Sequence, residues 1–194
     1  MMRIGAGRER FILKPEMSEG FVVGCREELE SYPAYTYQPL SATQIRLFTV
    51  DEEDHGATVS GQFQIVRLEP GGDSQPRALP KWEAISYAWE GQIPSHSVSL
   101  GSHHLKVTDN VLQILRDLRL RTERRTVWID AICINQDDRE EKSRQVSLMQ
   151  QIYTLAERVI IWLPLYDKTG HKDKAESSIF ATQWLLRKIE MGQD

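Results

Sequence analysis

Cysteine is nearly absent from this chain: Cys25 and Cys133 are the only two in 194 residues. Two thiols over that length make neither a disulfide scaffold nor a zinc cluster. An excess of one charge is missing as well. The 28 acidic residues stand against 24 basic ones, and the two signs interleave, as in Arg121-Thr122-Glu123-Arg124-Arg125. A net charge of −4 with no basic stripe gives no pull towards nucleic acid or an anionic membrane, so neither is expected as a partner. Long apolar runs are lacking. The longest, Val159 to Leu165, has seven residues and contains Pro164, where a spanning helix needs about 20. Met1 to Arg10 is polar and carries no apolar segment of a secretory signal. No phosphate-loop glycine pattern occurs, since Gly5-Ala6-Gly7 lacks a strand before it and a helix after it. What remains is 40% apolar and 27% charged residues, the balance of a soluble intracellular domain with room for one proper core.

Residues 1–36 show no sustained periodicity, and Phe21-Val22-Val23 is the one short apolar run among them that suits a strand. Ile45 to Val50 reads as a strand, Asp51 to Gly56 as an acidic turn, and Phe63 to Leu68 as a second strand of a hairpin-like unit. Trp82 to Trp89, WEAISYAW, is rich in β-forming residues and reads as a buried strand. Val98 to Val107 suggests a small hairpin. Thr108 suits the cap of a helix over 109–120 with Val111, Leu112, Leu115 and Leu118 on its apolar face. Thr126 to Ile134, TVWIDAICI, has the continuous apolar character of a strand covered on both faces. A second helix is expected over 139–157 with Val146, Met149, Ile152 and Tyr153 inward, then a strand over 158–163 and a third helix over 175–191. Strands alternating with helices predict an α/β fold: a mostly parallel sheet flanked by helices, with antiparallel strands added from the N-terminal part.

Along this order the chain resembles the fungal heterokaryon-incompatibility (HET) domain family. The resemblance rests on Tyr37-Gln38-Pro39-Leu40, Ile45-Arg46-Leu47, Ala84-Ile85-Ser86-Tyr87-Ala88-Trp89 and Leu105 to Val111. Its most specific stretch is Trp128-Ile129-Asp130-Ala131-Ile132-Cys133-Ile134-Asn135-Gln136, followed at the family's spacing by Glu141, Gln145-Val146, Met149, Ile152-Tyr153 and Val159 to Leu163. The chain departs from the family pattern at Trp89-Glu90-Gly91, Glu141-Lys142 and Pro164. The resemblance covers residues 37–163, leaving 1–36 as an extension and 164–194 as a helical, truncated C-terminal segment. It implies a cytoplasmic protein of nonself recognition and programmed cell death that works through a protein partner or self-association. It also implies a distant relationship to TIR domains, hence a TIR/flavodoxin-like core and, as an alternative activity, cleavage of NAD as substrate. No resident cofactor and no metal is expected.

Six residues are singled out. Asp130 interrupts an otherwise apolar strand, and an unpaired buried carboxylate is costly. It is either held by hydrogen bonds at the sheet end or is a ligand or catalytic carboxylate where open α/β sheets place their sites. Glu141 stands three residues after Asp138 and fits a capping box. Under the NAD reading it is instead the acid that stabilises charge on the ribosyl carbon. Asn135 and Gln136 follow the strand directly and either hold the loop or bind ribose or base. Tyr87 and Trp89 end the WEAISYAW strand, Trp89 being the better placed to meet a ligand. Trp128 and Trp162 are expected in the core, and Cys133 as a small buried hydrophobe, having no His beside it in sequence. His103 and His104, neighbours on a hairpin, point to opposite faces and share no metal.

Overall fold

The structure is a computed structural model that describes residues 10–12, 29–52, 58–68, 79–89, 91–120 and 122–162. The expectations at Phe21-Val23, Leu163 and 175–191 lie outside the described residues. Eight strands are described: β1 (Arg10–Ile12), β2 (Gln44–Val50), β3 (Gly61–Arg67), β4 (Glu83–Ser86), β5 (His96–Leu100), β6 (His103–Val107), β7 (Arg125–Trp128) and β8 (Arg158–Trp162). The helices given bounds among the described residues are α1 (Asp109–Leu118), α2 (Asp130–Cys133) and α3 (Arg139–Leu155).

A six-stranded sheet runs in the order β1-β8-β4-β7-β2-β3, and β5-β6 form a separate hairpin. Strands β1, β8, β4 and β7 pair in parallel, while β7-β2 and β2-β3 are antiparallel. The fold is mixed α/β, with the antiparallel strands on one side as the sequence suggests. Strand β1 is a finding that the unpatterned N-terminal region does not predict.

The flanking helices lie on opposite faces of the sheet. Trp128, Ala84 and Val159 are in register and so share one face. On that face Trp128 meets Tyr153 of α3 edge to face, with ring centres 5.7 Å apart. Trp162 is an odd number of residues from Val159 and points the other way, where its indole donates to Asp117 of α1 at 2.9 Å. The connections after β4 and β7 therefore leave the sheet towards opposite sides, the arrangement at whose carboxyl end open α/β sheets place their ligands.

Local chemistry sets the helix starts. Thr108 caps α1 by accepting from the Val111 amide, and Asp138 caps α3 by accepting from the amides of Glu140 and Glu141. At the opposite end of the sheet, Glu83 begins β4 and pairs with Arg125 and Arg158, the first residues of β7 and β8.

Three expectations are corrected. The predicted strand 126–134 ends at Trp128, and Asp130–Cys133 is a helical turn. Asp130 starts that turn by accepting from the Ala131 amide at 2.7 Å, and the amides of Ile132 and Cys133 close back on Ile129. An apolar run is compatible with a buried turn as well as a strand, so periodicity could not separate them. The WEAISYAW strand is likewise shorter, Glu83–Ser86, with Tyr87 to Trp89 in the loop. On α3, Val146 is 55% exposed instead of packed. The inward face is Glu141, Gln145, Ile152 and Tyr153, with Met149 partly buried. Two polar residues occupy its first turns, which shifts the true face about 50° from the apolar one.

Candidate functional site

The carboxyl ends of β4 and β7 bring together residues from the loop after β4, the turn after β7 and the first turns of α3. Trp89 is 41% exposed, and its indole N–H donates to Asp130 Oδ2 at 2.9 Å. The Lys142 ammonium stands 5.8 Å from the Trp89 ring centre, the geometry of a cation–π contact. Gln136 reaches back from the loop and donates through Nε2 to the Asp130 carbonyl at 2.8 Å, while its Oε1 is buried without a partner. Asn110 pins the same region from α1: its Nδ2 donates to the Ala88 carbonyl, its backbone N–H donates to Gln92 Oε1, and its Oδ1 accepts from Gln92 Nε2. The sequence pattern of α1 gives no sign of this anchor beyond a polar residue at the first turn.

Burial raises the Asp130 carboxyl to about 6, against the opposing pull of the Trp89 N–H, the Ala131 amide and the Lys142 charge. The nearby Tyr87 and Tyr153 hydroxyls are pushed up by burial first and by the Asp130 charge second. Tyr153 donates to the Ile85 carbonyl at 3.1 Å. Asp130 is thus a carboxylate that holds its proton more tightly than usual, bonded to one side-chain donor and one backbone donor.

Glu141 sits in a different environment. It is 1% exposed, and its two oxygens meet the Arg46 guanidinium at 2.6 and 2.9 Å. Oε1 also accepts from the Asn135 amide at 2.7 Å. The capping role falls to Asp138 alone, because the Glu141 carboxylate turns inward to Arg46 instead of back to the Asp138 amide. Arg46 further donates to the carbonyls of Cys133, at 3.0 Å, and Gln38, and lies 4.8 Å from the Tyr37 ring centre. Tyr37 in turn donates to the Ile132 carbonyl at 2.9 Å. One buried guanidinium therefore ties the 37–38 segment, the turn after β7 and α3 together. Sequence reasoning passed over Arg46, although a charged residue inside Ile45 to Phe48 is the same signal that drew notice to Asp130.

Of the six residues singled out, Trp89 and Gln136 each bond to Asp130, and Tyr87 lies close enough to feel its charge. Asn135 holds the loop: its side chain accepts from the Asp137 amide at 3.2 Å and its own amide is bound by Glu141. Cys133 is buried, and burial pushes its thiol up to about 12. Trp128 and Trp162 are in the core. Among the described residues no group of three or more His, Cys, Asp or Glu could hold a metal ion, and no helix is long and apolar enough to cross a membrane.

A second feature lies elsewhere. A cleft of about 650 Å³ is lined by residues including Tyr35, Asp51, Gly61, Phe63, Leu100 and Arg124, beside β3 and away from Asp130.

Comparison with known proteins joins these features to a lineage. No solved structure matches. The chain is 41% identical over 97 residues to heterokaryon incompatibility protein 6, OR allele, of Neurospora crassa; the match covers 43% of this chain and 14% of that protein. The sequence model of the heterokaryon incompatibility protein family matches residues 82–191, which takes in β4, both flanking helices, β7 and the Trp89–Asp130 contact. On that match the chain belongs to the heterokaryon incompatibility (HET) family.

Proposed function

We propose that this chain acts in fungal nonself recognition as a cytoplasmic signalling module, passing on a death signal through contact with a protein partner or a second copy of itself. The observation that carries this reading is the state of the two candidate carboxylates. Glu141 spends both oxygens on Arg46 and the Asn135 amide, and Asp130 is bonded to Trp89 and Ala131. Groups so engaged are organised to hold a surface. The name of the Neurospora crassa relative, heterokaryon incompatibility protein 6, points the same way.

The alternative is cleavage of NAD, and one arrangement favours it. Asp130, Trp89, Tyr87 and Lys142 gather at the carboxyl ends of adjacent parallel strands whose connections diverge, where open α/β sheets bind ligands. The parallel β8-β4-β7 core with helices on both faces suits a TIR/flavodoxin-like core. In this reading Asp130 stabilises the positive charge that builds on the ribosyl carbon as nicotinamide leaves. Trp89 offers a ring to stack on, and Gln136 Oε1 accepts from a ribose hydroxyl. Glu141 is a positioning residue here, because its carboxylate is closed off by Arg46.

The experiment is nicotinamide release by purified protein, set beside cell killing on expression, for the parent chain and for Asp130→Asn. Killing without nicotinamide release supports the contact module. Nicotinamide release that Asp130→Asn abolishes in a folded protein overturns it in favour of the enzyme.

A further inference from the structure

We propose that the cleft beside β3 is a small-molecule site whose ligand is a planar aromatic body carrying a carboxylate. The site lies away from Asp130, so it goes beyond both readings of that residue and depends on neither.

The cleft is made by a fork in the β-structure. Ser60 and Ser99 form a parallel bridge, in which the Ser99 amide donates to the Val59 carbonyl at 2.9 Å. Strand β5 then ends at Leu100, and Gly101, with φ at 64°, turns the chain into β6. The hairpin therefore leaves β3 while β3 itself runs on to Arg67. Phe63 and Ile65, two residues apart, stand on one face of β3 beyond the fork, and both line the cleft. The facing wall is fixed as well. The Tyr35 amide donates to the His104 carbonyl at 2.8 Å, and the His104 amide to the Pro33 carbonyl at 3.0 Å, so the 33–35 segment is strapped to β6. The Tyr35 ring then meets the Phe63 ring with centres 5.1 Å apart. The concavity is thus built by backbone hydrogen bonds on both sides and stands ready without rearrangement.

The lining selects the ligand. A volume of about 650 Å³ falls in the range of about 300–1,000 Å³ usual for small-molecule sites. Tyr35, Phe63, Ile65 and Leu100 are only partly buried, so apolar surface that includes two rings is left to the opening. Such rings take a flat aromatic partner edge to face or in offset stacking. The polar groups fix its charge. Asp51 is committed on both oxygens: the Ser60 hydroxyl donates to Oδ2 at 2.9 Å, and Arg124 Nε stands 3.4 Å from Oδ1. Arg124 keeps its two Nη atoms without a partner among the described residues, and the Gln38 and Gln62 side chains add amide donors beside them. The cation of the lining is available and the acid is not. A guanidinium with both Nη groups open matches a carboxylate in fork geometry.

The test is a titration of the isotope-labelled full chain, read on its assigned amide NMR signals. The probe is naphthoate, set beside naphthalenemethanol and naphthylmethylamine as its neutral and cationic counterparts. Naphthoate binds with a Kd below about 1 mM and moves the amides of Phe63, Ile65, Leu100 and Gly101. The alcohol binds at least about threefold more weakly. Arg124→Gln, a change at the surface, brings naphthoate down to the level of the alcohol and leaves the alcohol unchanged. Leu100→Trp fills the cleft and abolishes binding of both, with far-UV circular dichroism as the check on folding. Naphthoate that moves no cleft amide, or moves those around Asp130 in their place, overturns the proposal. An alcohol that binds as well as the acid overturns the carboxylate, and an amine that binds better overturns it in favour of an anchor at Asp51. A short peptide ending in phenylalanine that binds where naphthoate fails overturns the small molecule in favour of a peptide terminus.

Discussion

Removing the Glu141 carboxylate should destabilise the protein as much as a large-to-small change in the apolar core beside it. Glu141→Ala leaves the Arg46 guanidinium 0% exposed with two of its charge-assisted bonds gone and the Asn135 amide without its acceptor. Breaking a buried ion pair from one side typically costs about 3–5 kcal/mol, because the remaining charge is buried uncompensated. Domains of this size have a total stability of roughly 5–15 kcal/mol, so the loss is a large share. The double variant Arg46→Met with Glu141→Leu removes both charges and keeps the volume, and should recover most of that loss. Urea denaturation of the parent, both single variants and the double completes a double-mutant cycle. A single-variant loss under about 1 kcal/mol, or a double variant as unstable as the worse single, would refute the reasoning. Either result would mean that the pair is solvated or that its value lies in the other contacts of Arg46.

Three further outcomes are expected. Asp130 has its carboxyl raised to about 6 in the folded chain; a raised carboxyl contributes stability at low pH that is lost as pH climbs through about 6. Asp130→Asn should therefore be stabilising near pH 8, by at most about 3 kcal/mol, and near neutral close to pH 4; equal effects at both pH values in urea melts would contradict the shift. Gly61→Ala should destabilise by about 1–3 kcal/mol, because a methyl there meets the Phe48 ring and the Thr49 carbonyl, each at 2.4 Å; an unchanged melting midpoint would count against that packing. On α3, Ile152→Ala should cost about 2–5 kcal/mol and Val146→Ala within about 0.5, since Ile152 is 0% and Val146 55% exposed; the reverse order in denaturation would place the other face inward.

The sequence by itself determined the elements whose signals are local. The Thr108 and Asp138 caps, the apolar face of α1, the β2-β3 and β5-β6 hairpins and the short buried β8 follow from residue type and spacing within a dozen positions. The WIDAICINQ block determined the family, because nine specific residues in order carry more information than any periodicity. Only the tertiary structure decided what the polar residues inside apolar runs are for. Asp130 and Arg46 carry the same local signal, a charge among buried neighbours, yet one meets Trp89 of the loop after β4 and the other meets Glu141 across 95 residues. The same long-range pair sets the face of α3: Arg46 draws Glu141 inward, and Val146, apolar and correctly spaced, is left outside. The end of β7 was hidden for a related reason. Buried strand and buried turn are equally apolar, and the choice between them rests on where Asp130 finds its donors, a matter of through-space geometry that no window of sequence contains.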